Sequence, residues 1–378
     1  MKRLAILGIR GIPASHGGFE TFAENLSVAL KDNDWQVVVY CQKIGGEIEY
    51  TTWKGIELVK IPVKNDTSLS TIIFDIKSTY HACKNEKLLL TLGYNTAFLS
   101  IYCRIAGAYN FINMDGIEWK RSKWSLPIKI WFYINERIAC VFGNQLIADH
   151  PEIKNHLSTR VNENKITMIP YGANHIKNAD ERLLDKYKLK AGKYITVIAR
   201  PEPENSILEI VRVFSAKSRN IKLVVLGKYT PETITYHAEI LSCASDEVVF
   251  LGAIYDNNIL ESLRYFSLFY IHGHQVGGTN PSLIEALGAG NPVLAKDNKF
   301  NRWVTDNKML YFKNDEELEQ NLNKLISDDE IINVMKKESE IMFMNKYQWP
   351  NINKQYEDIF LDYLQSIGSV NNIDTKKT

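Results

Sequence analysis

The chain has no hydrophobic run approaching the ~20 residues a membrane-spanning helix needs, so no transmembrane helix is expected. It has almost no charge imbalance. Lys+Arg number 45 and Asp+Glu 44, a formal net charge of +1 over 378 residues, which removes the case for nucleic acid as a partner. The five cysteines, Cys41, Cys83, Cys103, Cys140 and Cys243, are far apart and form no CxxC pair. That pattern fits reduced thiols in a cytosolic protein and offers no zinc cluster. A signal peptide is not expected either, because Met1-Lys2-Arg3 leads straight into a predicted strand.

What is present is an ordinary globular composition, 45% hydrophobic and 24% charged, in a chain longer than one core usually supports. Short apolar runs alternate with helix-like stretches, the pattern of parallel strands joined by crossover helices. Leu4–Ile9, Val37–Cys41, Leu58–Ile61, Leu88–Leu92, Phe111–Met114, Gln145–Ala148 and Ile166–Ile169 read as strands of a first sheet. Tyr194–Ala199, Lys222–Leu226, Val248–Leu251, Leu268–Ile271, Pro292–Ala295 and Met309–Phe312 read as a second. The expected division is an N-terminal doubly wound domain over 1–172 and a C-terminal one over 173–348. A helix over 349–366 is expected to return to the first domain, followed by a disordered polar tail over 367–378.

In such sheets ligands bind beyond the carboxyl ends of the strands. The informative loops follow strands: Gly8–Glu20, Asp115–Lys123, Asp149-His150-Pro151, Arg200–Ser206 and His272–Asn280. The first, Gly8-Ile9-Arg10-Gly11 running to Gly17-Gly18-Phe19-Glu20, lacks the glycine spacing of a dinucleotide fingerprint. The second strand ends Tyr40-Cys41-Gln42-Lys43, without an acidic residue for a ribose, which argues against a dehydrogenase. Phosphate or sugar binding suits this loop better. Gly277-Gly278-Thr279-Asn280 feeds a helix, whose free amides and positive dipole end suit a diphosphate. Glu285 lies about a turn and a half into that helix, placed to accept from ligand hydroxyls. Arg200 ends a strand and points a guanidinium at the same region. Asp115 and Glu118 follow the fifth strand, with Asp115 the better candidate for a ligand contact. His272 and His274 alternate at a strand end but have no third ligand, so no metal is expected. Asp32-Asn33-Asp34 lies at the wrong end of the sheet and reads as a solvated turn. Trp119 to Arg137 mixes Lys120, Arg121, Lys123, Lys129 and Arg137 with aromatics, which suits an anionic membrane surface.

Three motifs in order, Gly11-Ile12-Pro13-Ala14 with Gly17-Gly18-Phe19-Glu20-Thr21, Asp115-Gly116-Ile117-Glu118-Trp119-Lys120-Arg121, and Gly277-Gly278-Thr279-Asn280-Pro281-Ser282, carry a resemblance. The chain resembles the retaining GT-B glycosyltransferases of family 4, from its first strand to about residue 365. More narrowly it is similar to bacterial β1-4 rhamnosyltransferases of capsule and O-antigen assembly. The resemblance implies an α/β fold of two Rossmann-like domains facing across a cleft. It implies a nucleotide-sugar donor, dTDP- or UDP-linked, in the C-terminal domain and a lipid-linked saccharide acceptor in the N-terminal one. The place implied is the cytoplasmic, inner face of the cell membrane, bound peripherally. No metal or other cofactor is implied.

Arg200 matches the arginine that neutralises the donor diphosphate, and the lysine expected five residues on is Asn205 here. Glu285 matches the second glutamate of an E-x7-E pattern, and the first position is Gly277. That leaves His274, or the Gly278–Asn280 backbone, to take over the missing sugar contacts. A His-Asp pair common in relatives reads Met114-Asp115, an apolar surface that would suit a 6-deoxy sugar. The implied roles are catalytic for Arg200, Asp115 and His274. They are donor-binding for Gly17, Gly18, Arg200, Asn205, His272, Gly278, Thr279, Asn280 and Glu285, and acceptor-binding for Arg10, Glu20, Glu118, Lys120 and Arg121. The function implied is transfer of L-rhamnose from dTDP-rhamnose. The alternatives are a UDP-hexose transferase, a sugar-nucleotide 2-epimerase of the same fold, and a non-catalytic sugar-binding module.

Overall fold

The computed structural model describes residues 2–14 and 17–374, with side chains described through residue 367. The chain divides into two compact units, Met1–Tyr171 with Trp349–Thr378, and Gly172–Gln348.

In the first unit, β1 (Arg3–Leu7), α1 (Gly18–Asp32), β2 (Gln36–Ile44), β3 (Glu49–Trp53) and β4 (Ile56–Val63) come first. Then follow α2 (Ser68–Asn85), β5 (Leu88–Leu92), α3 (Leu99–Ile105) and β6 (Tyr109–Asn113). The run closes with α4 (Leu126–Phe142), β7 (Gln145–Ala148), α5 (Pro151–Ser158) and β8 (Ile166–Met168). The sheet order is β3-β4-β2-β1-β5-β6-β7-β8, parallel except for β3. All seven expected strands are present. β3 was missed because its residues alternate between exposed and half-buried and carry no apolar face.

Strands β1, β2 and β5 bury residues on both faces, hence their apolar runs. One face packs Ala5, Leu7, Tyr40 and Leu89 against Phe74, Ala82 and Cys83 of α2 and Cys103 of α3. The other packs Leu4, Ile6, Val39, Leu90 and Phe111 against α1 and a returning helix. That helix presents Ile352, Tyr356 and Phe360 at four-residue spacing, all buried, one stripe of a helix. The Phe360 ring lies 5.0 Å from Phe111 and 5.9 Å from Trp35, and Tyr356 lies 4.8 Å from Phe22. Asn113 Nδ2 donates to the Tyr356 hydroxyl at 2.9 Å. The helix backbone continues through Asp374, beyond the end expected near residue 366. The rest of the expected tail, 375–378, lies outside the described residues.

The second unit contains β9 (Tyr194–Ile198), α6 (Ile207–Ser215), β10 (Lys222–Leu226), α7 (Thr235–Ser242), β11 (Val248–Gly252) and α8 (Asn257–Tyr265). It continues with β12 (Tyr270–His272), α9 (Pro281–Gly288), β13 (Val293–Lys296), α10 (Lys299–Val304) and β14 (Leu310–Phe312). Two helices end it, α11 (Asp315–Ser327) and α12 (Asp329–Lys346). The returning helix of the first unit is α13 (Trp349–Asp374). The parallel sheet of the second unit has the order β11-β10-β9-β12-β13-β14. Strand order therefore reverses between β1 and β5 in the first unit, and between β9 and β12 in the second. Those reversals open the crevices where ligands of doubly wound sheets sit.

Two measurements test this packing. Phe360→Ala should destabilise the first unit by about 3–5 kcal/mol in denaturant unfolding, as large-to-small changes at buried aromatics do. Asp75, on α2, is held up to about 6 from 3.8 by burial, with Thr96 donating to it. A raised carboxyl contributes stability in full below pH 3.8 and loses it as pH rises through about 6. Asp75→Asn should therefore flatten the fall in stability across that window, read from melting temperature against pH.

Candidate functional site

At the reversal in the second unit, the loops after β9 and β12 are bound to each other. Gln275 donates its amide to the Glu204 carbonyl and its side chain to the Ser206 hydroxyl, both at 2.9 Å. A Cβ on Gly273 would lie 2.1 Å from the Asn205 carbonyl oxygen, so only glycine allows this approach. The Arg200 carbonyl accepts from the Glu202 amide at 2.7 Å and from Asn205 Nδ2 at 2.8 Å. Its guanidinium stands out of the loop, 69% exposed, with Glu202 at 3.9 Å. Such a cation costs little to desolvate for an anionic ligand and can meet it with a fork of donors.

Gly277 has φ +141, where an L side chain is strained, and nothing lies within 4 Å of where its Cβ would be. A glutamate here would need another backbone. The departure from the family pattern is thus built into the loop. The amides at the start of α9 require a correction. Pro281 has no N–H, the Ser282 amide donates to Asn280 Oδ1 at 3.1 Å, and those of Leu283 and Ile284 donate to the Asn280 carbonyl. The Asn280 side chain is a helix cap, and α9 offers its dipole rather than its own first amides. Gly278 lies in the loop ahead of this cap, and Thr279 beside it is buried.

Three further donor-side expectations change. Asn205 is buried and spends its amide on the Arg200 carbonyl, so it positions the arginine's backbone. His272 is wholly buried, and its Nε2 has no partner among the described residues. Its ring stacks on His274, centroids 4.3 Å apart. Burial, with His274 adding to it, holds His272 well below the usual histidine range and therefore neutral. His274 is half-buried, its carbonyl held by the amides of Asn298 and Asn301 at 2.9 Å. Glu285 forms an ion pair with the buried Arg264 of α8. Arg264 is the site residue the sequence did not suggest, because the contact joins two helices and leaves no local pattern.

The first unit holds its own cluster. Glu20 accepts from the amides of Arg10 and Gly17, each at 3.2 Å, so the carboxylate expected to bind acceptor braces the loop instead. Gly18 begins α1, and its carbonyl accepts from the Tyr171 hydroxyl. Ser15 and His16 of this loop lie outside the described residues. Arg10 pairs with Asp66 at 3.2 Å beside a groove of about 340 Å³ lined also by Gln42, Lys43 and Lys60. Gln42 Oε1 is buried there without a partner among the described residues.

Asp115 has φ +49, with its amide donating to Asn113 Oδ1 at 3.1 Å. Met114 is 1% exposed and presents no surface to a sugar, which removes that argument for a 6-deoxy donor. Glu118 accepts from Arg121 at 2.8 Å and Trp124 Nε1 at 2.9 Å, a structural knot rather than an open carboxylate. Arg121 is thereby committed to the same knot. Trp119 Nε1 donates to the buried Glu136, and Lys120 and Lys123 lie over the Trp119 and Trp124 rings. The 119–124 segment is therefore folded onto its own unit.

Known families divide the chain as the fold does. Residues 1–174 match a domain of unknown function, DUF1972, and residues 180–342 match glycosyl transferases group 1. The protein is a glycosyltransferase with the GT-B fold. No curated protein matches its sequence. Among solved structures, sucrose-phosphate synthase from Thermosynechococcus elongatus is similar with TM-score 0.80 at 14% identity, over 97% of this chain and 100% of that one. HepE of Anabaena, solved with UDP and glucose, gives TM-score 0.76 at 14% identity over 95% and 99%. Trehalose 6-phosphate synthase from Burkholderia multivorans gives 0.75 at 9% identity over 98% and 98%. At such identities the likeness is one of fold. Among the described residues, no group of three or more His, Cys, Asp or Glu is arranged to hold a metal ion, and no helix is long and apolar enough to cross a membrane.

The pairing in the enzyme separates two substitutions that look alike in sequence. Arg200→Ala, at an exposed side chain, should leave thermal stability within about 0.5 kcal/mol of wild type. Glu285→Ala leaves buried Arg264 without its partner and should cost about 1–3 kcal/mol, moderated by Glu285 being partly exposed. Thermal melts of the two variants without ligand check the difference.

Proposed function

We propose that the enzyme moves a hexosyl group, L-rhamnose from dTDP-rhamnose, to a lipid-diphosphate-linked saccharide in bacterial surface polysaccharide synthesis, on the cytoplasmic face of the membrane and with retention of anomeric configuration. The observation that carries the donor assignment is the exposed Arg200 guanidinium at the β9/β12 reversal, in the loop that Gln275 ties to the one carrying Gly277–Asn280. When the bond from anomeric carbon to phosphate breaks, negative charge develops on the diphosphate. Arg200 and the positive end of α9 stabilise that charge as it grows. The sugar becomes oxocarbenium-like, the acceptor hydroxyl attacks from the same face, and the leaving phosphate takes its proton. No protein nucleophile is needed, and Arg200 supplies charge that a metal ion would otherwise carry. Support for a deoxy sugar rests on Gly277, which removes a carboxylate from the sugar pocket. Without such an acceptor, an extra hydroxyl buried there would cost about 1–3 kcal/mol.

A second reading, a UDP-hexose donor, is favoured by one observation: HepE, similar in fold, was solved with UDP and glucose. Equal concentrations of dTDP-rhamnose, UDP-glucose and UDP-galactose, competing for a lipid-diphosphate saccharide, decide between them. Rhamnose transfer should lead, and preference for a 6-hydroxylated hexose overturns the donor while leaving the transferase in place. Incubation with donor alone separates the epimerase alternative, since a transferase leaves the donor essentially intact. Transfer should survive EDTA and fall on Arg200→Ala by the roughly 1.5–3 kcal/mol of a charged hydrogen bond. Complete loss on chelation, restored by Mg²⁺ or Mn²⁺, would contradict the electrostatic account.

A further inference from the structure

The helices on one face of the first sheet carry an outward surface that the catalytic account does not use. On α2, Leu69, Ile73 and Ile76 are exposed, Leu69 by 66%. On α3 the same holds for Ile101 and Ile105, the latter 78% exposed. On α4 it holds for Ile130, Ile134 and Val141. The three helices are neighbours. Tyr80 of α2 stacks on Tyr102 of α3 with ring centroids 5.6 Å apart, and Arg104 Nε donates to the Phe142 carbonyl at 2.9 Å. Single exposed aliphatics are common on protein surfaces, but a set spread over three adjacent helices marks a docking face.

The charges on this stretch have one sign. Lys77, Lys84, Arg104 and Arg137 are exposed. Every acidic residue from Ser68 to Phe142 is buried or half-buried: Glu86 and Glu136 lie inside, and Asp75, Asp115 and Glu118 are partly covered. Exposed isoleucine and leucine among lysine and arginine, with no exposed acid, is the complement of an anionic bilayer surface. Aliphatic side chains enter the acyl boundary while cations stay at the headgroups. A second copy of this chain is disfavoured, because a two-fold contact would set cation against cation.

We propose that the outer face of α2, α3 and α4 docks this protein on anionic lipid. This rests on the lipid-linked acceptor of the proposed function for its purpose. It shares α4 with the Trp119–Arg137 stretch, adds α2 and α3, and leaves out the 119–124 segment, whose tryptophans donate to Glu136 and Glu118.

The test is co-flotation of the full chain with phosphatidylglycerol/phosphatidylcholine vesicles and with phosphatidylcholine vesicles. Wild type should float with the first and not the second, less so at high salt. Ile73→Glu/Ile105→Glu/Ile134→Glu and Lys77→Glu/Lys84→Glu/Arg137→Glu should each lower the bound fraction by about tenfold or more. Both should keep wild-type melting temperature and nucleotide binding, since all six side chains are exposed. Failure of wild type to float, equal flotation on neutral vesicles, or variants that float like wild type would overturn the proposal. So would a dimer in solution that the same substitutions dissolve, which would make the face an interface between copies. Sugar transfer to a water-soluble acceptor without flotation would sink the docking face alone. Flotation without any transfer would sink the functional reading alone.

Discussion

The close approach of Gly273 to the Asn205 carbonyl is the constraint on which the site of the second unit depends. It lets the β12 loop lie against the β9 loop. The backbone bond from Gln275 to Glu204 can then form, and the amide of Asn205 is left to hold Arg200. A rigid loop with an exposed guanidinium is an arrangement suited to charge that appears only during reaction, because little reorganisation remains to be done. The residue that departs from the family's lysine thus contributes by placing the arginine rather than by adding charge.

The first unit repeats the strategy with other chemistry. A carboxylate, Glu20, gathers two amides of the Gly8–Gly18 loop, and an ion pair, Arg10 with Asp66, stands at the groove beside it. Its two sheet faces have different fates. One is sealed by α1 and α13, where Tyr356 and Phe360 replace solvent with aromatic packing. The other is covered by helices whose outer sides remain apolar and basic.

Fold was legible where strands bury both faces. Leu88–Leu92 and Lys222–Leu226 are mostly apolar runs, and the structure has strands with those bounds. Glu49–Trp53 was illegible because it is an edge strand with no buried face. The site was legible where position follows from topology. Arg200 and His272–Asn280 sit at strand ends, and their places follow from where the strands stop. It was illegible where the partner comes from elsewhere in the fold. Nothing around Glu285 announces Arg264, nothing around Glu118 separates an open carboxylate from one tied to Arg121 and Trp124, and Met114 looked available until the packing enclosed it.

The central claim is that the β9/β12 reversal of the second unit is where the donor diphosphate binds. The most direct measurement is a crystal structure of the enzyme with a nucleoside diphosphate. The account predicts the diphosphate within hydrogen-bond reach of the Arg200 guanidinium and beside the Gly277–Asn280 loop. A nucleotide seated instead on the Gly8–Gly18 loop of the first unit, with Arg200 still in solvent, would contradict it.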